Sequence, residues 1–218
     1  MNVNDFQGHS PASREAFRLL RAQLRELTDL CSALTSAGNI QSLWRRIVRN
    51  AQLMLAVDGC TYYRREDNHL VCAFLMSKAL GLTTEEEHTV PDIIAPIPLF
   101  DSQGQPCLQT AAARTLHSAR FEHTPNVTHL KNYSASRTRT FDERMGYRTV
   151  SMLSVPVQFR QQPVMGVLQL INPHNADGEV VDFDDGRLEV AMALASTIAL
   201  AQTLAERGDT DRAAASKA

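Results

Sequence analysis

The 218-residue chain, 44% apolar and 21% charged, is long enough to bury one good core with helical extensions, and two independent domains would be a squeeze. A net charge of -2, an isoelectric point near 6.4 and the lack of any basic block remove the electrostatic footprint of a nucleic-acid or anionic-membrane partner, so neither is expected. Apolar runs fall short of the roughly 20 residues that cross a bilayer, and the start, MNVNDFQGHSPASRE, lacks the basic-then-apolar order of a signal peptide. A cytoplasmic location is therefore the expectation.

Residues 1–12 are expected to be disordered. From Ser13 to Ser36, Phe17, Leu20, Leu24, Leu27, Cys31 and Leu34 recur at alternating three- and four-residue steps, the apolar seam of a helix. Such a stripe needs cover, either from its own domain's sheet or from a second subunit. The second makes a homodimer through the terminal helices the expectation. Gly38 ends this helix and Asn39 caps the next, Ile40–Leu55, whose Leu43, Ile47 and Met54 should face a sheet.

Cys60–Arg65 and His69–Ser77 read as a hairpin across the charged turn Glu66, Asp67 and Asn68. Thr83–Pro106 is a long connection with four prolines and the acidic run Glu85–Glu87. Connections of that length in compact domains are often functional lids. Gln109–His117 is expected as a short helix over the sheet, Arg120–Val127 as an extended segment, and Thr128–Thr140 as a loop. A final helix, about Asp184–Glu206 and capped by Asp182, carries Leu188, Met192, Ala195 and Ala199 on one face, and residues 207–218 read as a disordered tail.

The most informative stretch is Phe141–Ile171. A polar turn with Gly146 and Tyr147 leads into a strand, Ser151–Phe159, a connector, Arg160–Pro163, and a strand rich in branched residues, Val164–Ile171. Pro156 gives no amide to a ladder, so it should sit at an edge or bulge. Hairpins with helices at the chain ends indicate an α+β domain with one sheet.

This stretch resembles GAF domains, the small-molecule-binding regulatory modules of signalling proteins, and most nearly the bacterial ones attached to HD-GYP phosphodiesterases and nucleotide cyclases. Ala56–Tyr63 (AVDGCTYY) is similar to the family's first core strand and Ile97–Gly104 (IPLFDSQG) to its loop before a pocket helix. With VLQLIN ending at Asn172, and Val181–Leu194, the resemblance spans about 39–203. It implies a GAF-like (profilin/PAS-like) single antiparallel sheet, with terminal helices packed on one face and pocket loops on the other. It also implies ligand sensing, relayed along paired helices to an effector that is a separate protein or lies outside this chain. Cyclic-nucleotide-binding members carry Asn-Lys, then Phe, then Asp-Glu; here Asn172 and Phe183 match, but Pro173, Arg187 and Leu188 replace the lysine, aspartate and glutamate. The lysine–aspartate pair cannot form, which weakens the cyclic-nucleotide reading.

Candidate ligand-binding residues are Phe100, Asn126, Thr128, Tyr133, Asp142, Tyr147, Arg148, Thr149 and Ser151, polar or aromatic groups flanking the sheet where the resemblance puts a pocket wall. Amides at a helix start near Arg139–Asp142, completed by Arg148, would suit an anionic group, and Tyr133 or Phe100 would stack on a planar ring. No nucleophile–base pair or phosphate-cradling glycine loop appears, so no catalytic residue is assigned. His117, His123 and His129 recur at six-residue intervals, a spacing that fits no close chelate, and no metal is expected. Cys31, Cys60, Cys72 and Cys107 form no CxxC pair. A thiol enzyme of the free methionine sulfoxide reductase type would rest on Cys107 as a pocket thiol, and a ligand-free structural dimerisation module is the third alternative.

Overall fold

The computed structural model describes residues 25, 40–83, 94–130 and 136–215. The helix expected over Ser13–Ser36 (apart from Arg25), the acidic run Glu85–Glu87, Cys31 and Tyr133 lie outside these residues.

Helix α1 (Ile40–Leu55) turns Ile47, Ala51 and Leu55 inward at four-residue steps, all at most 1% exposed, and leaves Leu53 outside. Ala56 takes a left-handed conformation (φ 51°) and passes the chain to β1 (Val57–Glu66). β1 pairs antiparallel with β2 (His69–Ser77) across the expected turn, where Asp67 is also left-handed, as a tight hairpin turn requires. The short strands β3 (Leu82–Thr83) and β4 (Ile97–Pro98) pair with opposite ends of β2. β5 (Glu122–Thr124), β6 (Met152–Val157) and β7 (Gly166–Pro173) complete one sheet in the order β3-β2-β1-β7-β6-β5, with every pairing antiparallel. Pro156 pairs with Val167 on one side, while β5 accompanies β6 only along Met152–Ser154, so no described strand on the other flank needs its missing amide.

Helix α1 and the long helix α4 (Asp185–Ala215) cover one face of this sheet. Their Ile47, Ala51, Leu194, Ile198 and Ala199 interlock with Cys60, Tyr62, Leu153, Leu168 and Leu170 from the strands. Tyr62 is wholly buried, and its hydroxyl donates to Gln202 of α4 at 2.5 Å, pinning helix to sheet. The opposite face carries α2 (Ala111–Ser118), a single 3-10 turn (Val127–His129) and α3 (Arg137–Met145). No described helix is long and apolar enough to cross a membrane.

Three sequence readings need correction. Asp184, not Asp182, caps α4: its carboxylate accepts from the Arg187 amide at 2.8 Å. The helix runs to Ala215, through most of the segment read as a disordered tail, because a helix already nucleated by packing propagates through an alanine-rich stretch with no proline. Finally, the helix whose start was expected near Arg139–Asp142, after a loop to Thr140, begins at Arg137 and runs to Met145. Phe141 and Met145 are its only apolar residues, so no apolar period announces it.

Candidate functional site

Because side chains alternate along strands, those not committed to α1 and α4 share the other face: Thr61 and Tyr63 from β1, Leu75 and Ser77 from β2, Gln169 and Ile171 from β7, and Met152 from β6. They floor a cavity of about 370 Å³, within the range of roughly 300–1,000 Å³ typical of small-molecule sites. Its walls are the start of α2, the Ile94–Ile97 segment, and α3.

Helix α3 is bracketed by its caps: Ser136 accepts from the Arg139 amide, and Gly146 takes the left-handed C-terminal conformation (φ 61°). Between them Arg137, Thr140, Phe141 and Arg144 stand at i, i+3, i+4 and i+7, one helical face, and all four line the cavity. The outer face carries the Arg139–Glu143 ion pair at 2.7 Å. Asp142 is buried, accepting from the amide and the hydroxyl of Thr149, each at 2.8 Å, which ties α3 to the segment entering β6.

The lining is mostly apolar, with Leu75, Leu80, Ile94, Ile97, Met152 and Ile171 set beside Thr61, Gln169, Tyr147, Thr149 and three arginines. Arg114 forks onto Glu122 (2.8 and 2.5 Å) and also reaches the Leu108 carbonyl at 2.8 Å. Arg137 bridges the mouth to the carbonyls of Ala95 (2.5 Å) and Pro96 (3.3 Å).

Of the candidates named from sequence, Tyr147 and Thr149 line the cavity and Asp142 braces it from behind. Ser151 is buried but donates to Asp182 at 3.0 Å, away from the lining. Phe100 packs edge-on against His117, 5.2 Å between ring centroids. Asn126 caps the 3-10 turn, accepting from the amide and hydroxyl of Thr128, so these two serve each other. Arg148 is exposed and contributes only its carbonyl, to the Asn172 amide. The helix whose start was expected near Arg139–Asp142 begins at Arg137, and Arg137 and Arg144 line the cavity while Arg148 does not. Gln109, Arg114, Arg137, Arg144 and Gln169 were missed. The signal for two of them was the Ser136…Gly146 bracket, which puts Arg137 and Arg144 on one helical face.

Behind the cavity wall lies a polar hub. Tyr147 donates to Asp58 at 3.0 Å, Asn172 donates to the Tyr147 hydroxyl and the Arg148 carbonyl, both at 2.8 Å, and His174 meets the other Asp58 oxygen at 2.8 Å. Burial and the Asp58 carboxylate push the Tyr147 hydroxyl well above the usual phenol range, so it remains a donor. Asn172 holds a left-handed backbone (φ 52°), from which its side chain also accepts from the Val150 and Ser151 amides. Arg187, at the motif's aspartate position, reaches the His174 carbonyl (3.0 Å), the Leu55 carbonyl (3.4 Å) and Asp184 (2.6 Å). It thereby joins α1, the end of β7 and α4, a joint that needs no lysine at Pro173.

Ser151, Asp182 and His123 adjoin, but the carboxylate stands between the other two: Ser151 and His123 both bond Asp182. A base must touch its nucleophile, so this cluster is a brace and not a catalytic relay. Burial acts to raise the Asp182 pKa, but the bonds from His123, Ser151 and the Phe183 amide hold it below the usual carboxylate range. Cys107 is not among the lining residues, and burial pushes the Cys72 thiol up to about 12, far from a reactive thiolate. Cys60 is sealed under α1 and α4 and is also pushed up by burial. Among the described residues no three His, Cys, Asp or Glu side chains converge as a metal site. His117 goes to the Leu99 carbonyl and His123 to Asp182.

The fold has known counterparts. The GAF domain of a phosphoenolpyruvate-protein phosphotransferase from Acinetobacter superposes with TM-score 0.58 at 17% identity, covering 86% of this chain and 95% of that one. The corresponding domain from Coxiella burnetii gives 0.61 at 14% identity, over 86% and 96%. Free methionine-R-sulfoxide reductase from Neisseria meningitidis, solved with its substrate, gives 0.59 at 12% identity, over 85% and 91%. Likeness at such identities establishes the fold alone. No curated protein matches the sequence. The model of the GAF domain matches residues 39–202, the whole of the sheet, α1 and the first part of α4, and the chain belongs to the GAF domain family.

Proposed function

We propose that this GAF domain is a regulatory sensor that binds a small molecule between its sheet and helices α2 and α3. The observation that carries the reading is the cavity itself: an apolar floor with a few placed polar groups and a wall residue, Tyr147, bonded to the Asp58 hub. From that hub His174 leads to Arg187 and so to the first turn of α4, a chain of contacts by which occupancy would bias the long helix. Thermal-shift and isothermal titration screening against cyclic nucleotides, amino acids and aromatic acids tests it. Silence across all three classes would defeat the proposal in favour of a ligand-free structural module.

The finer parts of the reading rest on the sequence. Kinship with GAF modules of HD-GYP phosphodiesterases and nucleotide cyclases is proposed from Phe141–Ile171, with a cytoplasmic signalling role. A cyclic nucleotide is the less favoured ligand, given Pro173, Arg187 and Leu188 in the motif. Pairing into a homodimer is proposed through the apolar stripe Phe17–Leu34, and light scattering of the full chain against Leu20→Lys, Leu27→Lys tests it, a monomer in both samples being the refuting result. The sulfoxide reductase alternative is the less favoured one, since Cys107 is not among the described lining residues.

A further inference from the structure

Two hydroxyls on the cavity floor are buried with nothing to bond. Thr61 and Tyr63 stand on the same face of β1, line the cavity, and are 3% and 6% exposed, yet among the described residues neither hydroxyl has a hydrogen-bond partner. Burial pushes the Tyr63 phenol above its usual range, so it stays protonated and able to donate. Directly across the β1–β7 ladder from Thr61 stands Gln169, whose side-chain amide donates to the wholly buried Ser154 hydroxyl at 3.0 Å. That bond turns the amide nitrogen toward β6 and leaves the carbonyl oxygen Oε1 without a described partner at the cavity floor. A hydroxyl withdrawn from water and left unbonded destabilises the fold, and valine and phenylalanine would pack in the same space without that cost. Groups kept in spite of it are matched to something that enters the cavity.

Resting on the sensor reading, we propose that the ligand ends in an uncharged amide, a carboxamide or lactam, seated on the β1–β7 seam. Its carbonyl accepts from the Thr61 and Tyr63 hydroxyls, and its N–H donates to Gln169 Oε1. One edge with an acceptor beside a donor answers all three groups, whereas a ketone leaves the Gln169 oxygen unbonded. A charged end would meet only neutral partners, since Thr61, Tyr63, Ser77 and Gln169 are the polar side chains of the floor. Leu75, Met152 and Ile171, around them on the same floor, suit a ring or other apolar body.

Two measurements test this. Without ligand, Thr61→Val and Tyr63→Phe should melt no lower than wild type, because each removes a hydroxyl that bonds nothing and keeps the packing. A fall of several degrees in either would show that the hydroxyl serves the fold and would overturn the proposal. Isothermal titration of the full chain then compares benzamide with acetophenone and carbostyril with quinoline, pairs alike in shape whose second member lacks the N–H. At least one amide should bind, with its partner roughly tenfold weaker. Thr61→Val and Tyr63→Phe should each weaken the amide roughly tenfold, and Gln169→Leu should erase the preference for the amide over its partner. Should Gln169→Leu not fold, the two hydroxyl variants carry the test. A partner binding as tightly as its amide, or amide affinity unmoved by both hydroxyl variants, would overturn the amide class and leave the sensor reading standing. No binding by any of these compounds would also overturn the proposal, and the sensor reading falls with it only if the cyclic nucleotides, amino acids and aromatic acids are silent too.

Discussion

The hydroxyl of Tyr147 donates to the carboxylate of Asp58 at 3.0 Å, although 89 positions separate them. One residue lines the cavity and the other stands at the start of the first core strand, so the bond joins the cavity wall to the polar hub. Tyr147→Phe deletes a donor to Asp58 and an acceptor for the Asn172 amide while keeping the ring. Because Asp58 is largely buried, we expect a loss of about 1–3 kcal/mol in unfolding free energy by urea titration. An unchanged midpoint would mean that water replaces the hydroxyl and that the hub does not transmit.

Arg187 tests how this chain manages without the family's lysine–aspartate pair. It donates to carbonyls at the ends of α1 and β7 and pairs with Asp184. Arg187→Ala should cost about 1–2 kcal/mol in the same titration. The double variant Pro173→Lys, Arg187→Asp, which writes the family motif back in, should be no more stable than Arg187→Ala, since the Leu55 and His174 carbonyls still lack their donor and a new carboxylate faces Asp184. Recovery of wild-type stability in the double variant would show that the older pair is equivalent here.

What the sequence revealed and what it hid follow from the same physics. The hairpins and α1 were legible because burial on one side imposes a period of two or of 3.6, as in Thr61/Tyr63 against Cys60/Tyr62, or Ile47/Ala51/Leu55. Tyr147 and Thr149 line the cavity because they follow a turn into a core strand. The extent of helix α3 was hidden because a short, strongly polar helix shows no apolar stripe. Its arginines look in sequence like any solvated cations, and only its caps, Ser136 and Gly146, mark its ends. Asn126, Thr128 and Phe100 stand outside the described lining, engaged in capping and ring packing, which draw on the same residue types as ligand binding.

Asp182 gives a pH signature. Its bonds with His123, Ser151 and the Phe183 amide outweigh burial and lower its pKa. A carboxyl with a depressed folded value adds stability above its unfolded value, about 3.9, and loses it as pH falls through the folded one. Melting temperatures of wild type and Asp182→Asn should therefore differ in favour of wild type near neutrality and converge as pH falls below about 4. A gap that persists to pH 2 would show that the brace works through shape and not through charge. No catalytic activity should depend on this cluster, because Ser151 and His123 never touch.

Gly166 carries the sharpest stability prediction. It opens β7 opposite Val157 and Arg64, and a Cβ placed on it would lie 2.2 Å from the Tyr63 carbonyl oxygen and 2.8 Å from Cε2 of Tyr62. The first obstacle is backbone inside a paired strand, and the second is a ring that is fully buried with its hydroxyl bonded to Gln202, so neither can withdraw. Gly166→Ala should exceed the roughly 1–3 kcal/mol of ordinary overpacking, because relief requires parting β1 from β7. Gly178, whose added Cβ meets nothing within 4 Å, is the control. Its φ of 81° makes Gly178→Ala strained only locally, at about 1 kcal/mol. Soluble, cooperatively unfolding Gly166→Ala with a loss no larger than that of Gly178→Ala would show that the β1–β7 seam yields, and with it the rigid floor on which Thr61, Tyr63 and Gln169 are set.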